Sequence, residues 1–335
     1  EIDVIKYSEL FNSVDEAIVP FLLSWFDQSE TIKVQTSGST GTPSIIELEK
    51  SDMRTSATLT LKRFNLSTDE LMVNCLPVKF IAGKMMLVRA IVGRLKLKLV
   101  KPSNNPLKDF PKETIQFTAL TPPQLESGIP SNLEEINRIE TIIIGGAPIT
   151  PSLQEKILVF HSNCYATYGM TETITHIAVQ SLNNPAEDTF QVLEGIKLTT
   201  INDALVIDAD HLKDSPIITT DIVSLSEDGR TFKWLGRKDY VINSGGIKLF
   251  PERIEKKIQP YLSCRIIVHQ QSDAKFGAVP ILIIEASSDI GFSLENIQLD
   301  KIETPRKIYY LNSFMETENG KINRLKTAEL INLAI

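Results

Sequence analysis

Six short segments carry side chains able to handle a phosphorylated nucleotide. Thr36-Ser-Gly-Ser-Thr-Gly-Thr-Pro43 sets glycines and hydroxyls between the β-prone stretches 32–35 and 45–48. Glycine lets backbone N–H groups approach an oxyanion, and the hydroxyls add donors. No Gly-Lys-Ser/Thr follows, so it is not a Walker loop; the same composition also makes an ordinary surface turn. Tyr165-Ala-Thr-Tyr-Gly-Met-Thr-Glu-Thr173 reads as a strand, a glycine turn and a helix opened by Thr171 and Glu172. A hydroxyl and a carboxylate there can hold Mg²⁺ and polyphosphate oxygens, or the Glu merely suits a helix start. Thr219-Thr-Asp221 and Gly236-Arg-Lys-Asp239 offer a carboxylate for ribose hydroxyls and a charged donor, though both residue types are usually solvated. Asn243-Ser-Gly-Gly-Ile-Lys248 is a glycine hairpin, and Gly320-Lys-Ile-Asn-Arg324 is either a solvated tail or the carrier of a movable cation.

The elements that must position these segments alternate. Strands are expected at 71–76, 95–100, 114–120 and 141–144, and helices at 81–92, from Pro123 onward, and at 151–160. Thr150 is the expected cap of the last helix, with Pro151 at its first position. That β-α-β order predicts layered α/β packing with right-handed crossovers. After Trp234 the character changes: a hairpin at 240–250, a helix from Pro251-Glu252, and strands at 265–269 and 279–286 read as a smaller α+β module. The boundary falls between Gly236 and Asp239, giving domains at 1–236 and 237–335.

Composition narrows the function. A chain of 335 residues has room for two domains. With 42% hydrophobic and 23% charged residues it is ordinary globular material. Thirty-five basic against 42 acidic side chains, a net charge of −7, argue against a nucleic-acid partner. No apolar run reaches the ~20 residues of a membrane span, and no signal peptide is legible. Cys75, Cys164 and Cys264 suit reduced thiols in the cytoplasm. The four histidines never fall at metal-ligand spacing with them, so no structural metal is expected.

Taken in order, these segments resemble the acyl-adenylate-forming (AMP-binding) superfamily, in its acyl-CoA ligase branch, over about 34–324. That likeness implies a large N-terminal α/β domain of the adenylate-forming type, N-terminally shortened, with a small hinged α+β C-terminal domain. It implies ATP, Mg²⁺ and coenzyme A as the small molecules bound and a carboxylic acid as substrate. Carried over residue by residue, Thr36, Ser37, Gly38, Ser39, Thr40 and Gly41 would hold the phosphates. Gly145, Gly146 and Ala147 would lie beside adenine. Tyr168, Gly169, Met170 and Thr171 would take the nucleotide, and Glu172 the Mg²⁺ bound through ATP. Asp221 and Arg237 would hold the ribose, Asp239 would be the hinge, and Lys321 the catalytic cation. Ser244, Gly245 and Gly246 would line the path of the thin pantetheine arm.

The segments Leu76-Pro-Val-Lys-Phe-Ile-Ala-Gly83 to Ala90 and Ile242-Asn-Ser-Gly-Gly246 with Phe250-Pro-Glu-Arg-Ile-Glu255 are most similar to the o-succinylbenzoate–CoA ligases of menaquinone biosynthesis. That likeness implies Phe80, Gly83, Lys84 and Arg89 at the acid. Lys84 and Arg89 are five apart, about 140° around a helix, so only one can face the pocket. Lys84 is preferred because Gly83 beside it would let a ligand approach. The chain departs from the pattern at Ser44, where a basic residue is usual, at Phe80, where His is common, and in having only 35 residues before Thr36. An enzyme adenylating another acid, or loading a carrier protein, and a nucleotide-binding pseudoenzyme are the alternatives; a homodimer is left open.

Overall fold

The computed structural model describes residues 13–35, 45–184, 188–316 and 322–331. Helix α1 (Ile18–Phe26) buries Ile18, Phe21 and Trp25. Strands β1 (Thr31–Gln35) and β2 (Ile45–Glu49) pair antiparallel with Gln35 opposite Ile45. The expected phosphate loop and Ser44 therefore connect two paired strand ends, and they lie outside the described residues. Helix α2 (Lys50–Arg63) follows.

The next stretch is the alternation expected from the sequence: β3 (Leu71–Asn74), α3 (Ile81–Gly93), β4 (Lys96–Leu99), β5 (Ile115–Leu120), α4 (Pro122–Gly128), α5 (Leu133–Asn137), β6 (Ile139–Ile144), α6 (Pro151–Ile157) and β7 (Asn163–Gly169). These strands are parallel and stand in the order β4-β3-β5-β6-β7. Thr121 and Gln124 form a reciprocal cap on α4. Thr150 accepts the Leu153 N–H at 3.1 Å, with Pro151 in the first turn of α6. That helix stops at Ile157 rather than 160, because Leu158 and Val159 face solvent and nothing would hold another turn against the sheet.

Beyond β7 the sheet continues antiparallel through β8 (His176–Ser181), β9 (Phe190–Val192), β10 (Ile196–Ile201), β11 (Ala204–Ala209), β12 (Ile217–Leu225) and β13 (Thr231–Arg237). One mixed sheet results, ordered β10-β11-β12-β13-β9-β8-β7-β6-β5-β3-β4. Among the described residues its edge at β4 alternates exposed Lys96 and Lys98 with half-buried Leu97 and Leu99.

A 3-10 turn at Lys238–Tyr240 leads to a second sheet. Here β14 (Ile242–Ser244) and β15 (Ile247–Leu249) form the expected hairpin, followed by α7 (Pro251–Ile258), β16 (Ile266–Asp273), β17 (Gly277–Glu285), β18 (Ile308–Leu311) and α8 (Arg324–Glu329). Helix α7 buries Pro251, Ile254 and Ile258, one face at helical spacing. The buried apolar clusters of the second sheet contain no residue before Ile242, and those of the first none after Phe232. The two cores are separate.

Candidate active site

Three of the expected segments leave the carboxyl ends of neighbouring parallel strands. The chain order reverses between β3 and β5, with β4 on one side and β5 to β7 on the other. Crevices at such points receive ligands in open α/β sheets. The segment 76–80 leaves β3, 145–147 leaves β6 and 170–175 leaves β7. Gly145 packs against β7 so closely that a Cβ would lie 2.3 Å from Thr167 Oγ1, and Gly146 has φ +88°. At Gly169 a Cβ would lie 2.2 Å from the Thr175 carbonyl oxygen, so the chain folds back directly over it.

That fold-back overturns the expected helix at Thr171. Residues 171–175 form a turn that runs into β8. Thr173 Oγ1 accepts the Met170 N–H at 2.9 Å and lies 2.8 Å from the Thr175 carbonyl oxygen, while Ile174 sits at φ +68°. A residue at positive φ cannot continue a right-handed helix. Glu172 is exposed on this turn with no hydrogen bond or ion pair among the described residues. No cluster of three metal-capable side chains occurs among the described residues. The donor set therefore suits a Mg²⁺ ion held chiefly by phosphates, with one carboxylate from the protein.

Asp221 is the best-held polar group in the crevice. It lies in the middle of β12. The Tyr168 hydroxyl donates to its Oδ2 at 2.6 Å and the Trp234 indole N–H to its Oδ1 at 3.1 Å. Burial, and then the adjacent carboxylate of Asp221, push the Tyr168 phenol well above its ordinary pKa, so it stays a donor. The Tyr168 ring sits edge-on to Phe232, 5.0 Å between centroids. Arg237 stands opposite Asp221 across β12 and β13. Its guanidinium donates to Thr220 Oγ1 at 2.6 and 3.1 Å and to Asp239 Oδ2 at 2.9 Å. Trp234 was missed by sequence reasoning; its position two residues before the Gly-Arg pair was the available signal.

The α3 segment divides its two cations differently from the expectation. Lys84 Nζ donates to the carbonyls of Val78 at 2.6 Å and Lys79 at 3.0 Å, closing the loop of its own segment. Burial lowers its pKa, partly opposed by Asp15. Gly83 does not open space for a ligand: a Cβ there would lie 2.3 Å from the Pro77 carbonyl oxygen, so its lack of a side chain lets α3 seat on the preceding turn. Phe80 is the residue before α3, half-buried, with Lys79 Nζ 5.7 Å from its ring centre. Arg89 is only 2% exposed. One of its nitrogens lies 3.5 Å from Met86 Sδ and its Nε has no partner among the described residues. Burial brings its pKa down to about 10. His176 feels its charge: burial, then Arg89, then Arg63 hold the imidazole down at about 3, hence neutral.

At the junction of the two sheets Glu252 of α7 approaches Gly236, where a Cβ would lie 2.7 Å from Glu252 Oε2. The Arg237 backbone N–H donates to Glu252 Oε1 at 3.3 Å. Asp239 is exposed and held by Arg237. Ser244 is buried, and the Gly245 N–H donates to the Phe276 carbonyl at 2.8 Å, so the hairpin tip is packed on the β16–β17 turn. Lys248 of that hairpin pairs with Asp203 of the large sheet. Lys321 lies outside the described residues.

A family model described as AMP-binding enzyme matches residues 34–218, more than half of the chain. The chain belongs to the AMP-binding enzyme family. Among its relatives, the 2-succinylbenzoate–CoA ligase of Listeria monocytogenes is 27% identical over 369 residues, covering 97% of this chain and 75% of that protein. That of Staphylococcus epidermidis is 24% identical over 322 residues, covering 87% and 68%. An acyl-CoA synthetase (AMP-forming)/AMP-acid ligase II-like protein from Dyadobacter fermentans has a similar structure, with TM-score 0.65 and 29% identity, each chain covered to 94%. The o-succinylbenzoate coenzyme A synthetase of Bacillus subtilis, solved with ATP and magnesium ion, superposes with TM-score 0.76 at 18% identity, covering 88% of this chain and 69% of that one. The fold is thus that of the AMP-binding enzymes, in a chain shorter than several of its relatives.

Proposed function

We propose that the protein activates o-succinylbenzoate with ATP as an acyl adenylate and then transfers the acyl group to coenzyme A, in menaquinone biosynthesis. The observation that carries this reading is the Tyr168–Asp221 hydrogen bond. It ties the turn expected to hold the nucleotide to the carboxylate expected to hold its ribose. Family membership and the names of the relatives support the same chemistry.

In the first step a carboxylate oxygen of the acid attacks the α-phosphorus in line, and pyrophosphate leaves with the bond's electron pair. Two anions must approach, so fixed donors lower the barrier more than any other device. The 36–41 loop supplies N–H and hydroxyl donors to the phosphates. Glu172 would hold the Mg²⁺ that accompanies ATP, which when bound would neutralise phosphate charge. Asp221 accepts from the ribose hydroxyls, Arg237 steadies that side, and Lys321 bridges acid and α-phosphate. In the second step the CoA thiol loses its proton, its sulfur bonds to the acyl carbon and AMP leaves. The module 237–335 swings about Asp239 between steps, withdrawing Lys321 and presenting Ser244, Gly245 and Gly246 to pantetheine.

Arg89 supports an acid with two carboxylates. An enclosed guanidinium with no acidic partner among the described residues is costly, and a substrate carboxylate would complete it. Lys84, preferred on sequence grounds, is already engaged with its own loop, so the proposal moves to Arg89. A cytoplasmic location suits the free, buried thiols of Cys75 and Cys164, and no helix among the described residues is long and apolar enough to cross a membrane.

Pyrophosphate exchange into ATP tests the reading. It should require o-succinylbenzoate, and Lys321→Ala should abolish it yet spare thioester formation from supplied acyl adenylate. Absence of exchange with any carboxylic acid refutes the proposal.

A further inference from the structure

The strands β12 and β13 do not pair regularly where Asp221 sits. Asp221 is opposite Arg237, Ile222 opposite Gly236, and then Val223 opposite Trp234, so Leu235 is an extra residue in β13. Such a bulge changes which side chains share a face. Without it Leu235 would stand opposite Val223, on the Asp221 face, and Trp234 would point to the other side. With it, the indole N–H reaches Asp221 Oδ1 at 3.1 Å, while the Tyr168 hydroxyl holds Oδ2 at 2.6 Å. The Asp221 backbone N–H is itself held by Thr219 Oγ1 at 3.0 Å.

A carboxylate has about four lone-pair sites. One donor on each oxygen therefore fixes the plane of the group and leaves one acceptor site per oxygen. Two adjacent acceptors in a fixed plane match two neighbouring hydroxyls, a cis-diol, better than a single hydroxyl. We infer that Trp234, placed by the bulge at Leu235, is a positioning residue that orients Asp221 to read both ribose hydroxyls of the nucleotide. The inference rests on the ATP-binding role proposed above and goes beyond it by naming what sets the choice of ribose over 2′-deoxyribose.

The aromatic surround leaves room for a clean substitution. Trp234 is half-buried, and Phe keeps most of its ring while removing the N–H. Trp234→Phe should weaken ATP binding about tenfold by calorimetry, because an Asp221 carboxylate freed to rotate loses the equivalent of about one charged hydrogen bond to the ribose. It should raise the KM for ATP and leave kcat and the KM for the acid nearly unchanged. Its preference for ATP over 2′-deoxyATP should fall by at least threefold. Tyr168→Phe, which releases the other oxygen, should reduce the same preference and guards against a folding defect peculiar to Trp234→Phe. If both variants fold, shown by unchanged thermal unfolding, and keep the wild-type ratio of ATP to 2′-deoxyATP affinity, the inference is overturned while the enzyme's function stands. A fall in kcat and a rise in the KM for the acid as large as the rise in the KM for ATP also overturn it, as the mark of a merely structural role. A wild-type protein that binds neither nucleotide refutes the functional reading and this inference together.

Discussion

Arg324 holds Glu255 at two points beneath the ring of Tyr240. Its guanidinium donates to both carboxylate oxygens and to the Val268 carbonyl at 2.8 Å, and its carbon lies 5.0 Å from the Tyr240 ring centre. The pair joins the start of α8, three residues beyond Lys321, to α7 and to the first residues after the junction. Both side chains are largely enclosed, 11% and 15% exposed, so removing one partner strands the other.

Glu255→Gln should therefore cost about 3 kcal/mol in the C-terminal module. Because the two cores share no residues, urea unfolding followed by Trp234 fluorescence should report a large-sheet transition that does not move. A parallel shift of both transitions would contradict the separation.

Glu252 predicts a pH effect of unusual sign. Burial raises its pKa from the ordinary 4.5, only partly opposed by Arg324, and its Oε2 has no partner among the described residues. The folded protein keeps this proton to higher pH than the unfolded chain does. Stability from this group is therefore lost as pH climbs from 4.5 through the folded value, and stays lost above it. Glu252→Gln should raise stability by about 1 kcal/mol at pH 7 and by nothing at pH 4. Tm measured across that range decides, and a pH-independent difference would sink the idea.

Arg89 and Lys84 should separate under substitution. Arg89→Met should raise the KM for o-succinylbenzoate at least tenfold, the loss of one charged hydrogen-bonded contact, and leave a mono-acid analogue little affected. Lys84→Met should instead lower thermal stability, through the two carbonyls it now satisfies. The reverse pattern in KM would return the role to Lys84.

Two glycines of the crevice differ in kind. Gly169→Ala drives a methyl into the Thr175 backbone, so the turn must shift; about 1–3 kcal/mol of stability and measurable nucleotide binding should be lost. At Gly146 the nearest atom to a Cβ is 3.9 Å away, and alanine there meets only the positive φ, costing about 1–2 kcal/mol with binding retained. Calorimetric titration with AMP distinguishes them.

Much of the parallel half was legible because each β-α-β unit announces itself locally: Pro151 after Thr150, the alternation of Lys96 to Leu99, the buried run of β6. The antiparallel half from β8 to β13 left little trace, since its strands are defined by partners far along the chain. The bulge at Leu235 is invisible for the same reason, and with it Trp234. The turn at Thr171 was misread as a helix start because a single hydroxyl, that of Thr173, closes it. At Gly83 and Lys84 the sequence does not show that neighbouring carbonyls fill the space beside one and take the donors of the other.

The lysines of β4 have a bearing on solubility. Among the described residues this strand ends the large sheet, and such an edge is a template on which another chain could add and grow into aggregates. Lys96 and Lys98 put charge along that border, and a second molecule docking there would have to bring like charges together. Replacing both with isoleucine would leave the fold intact and make the protein self-associate.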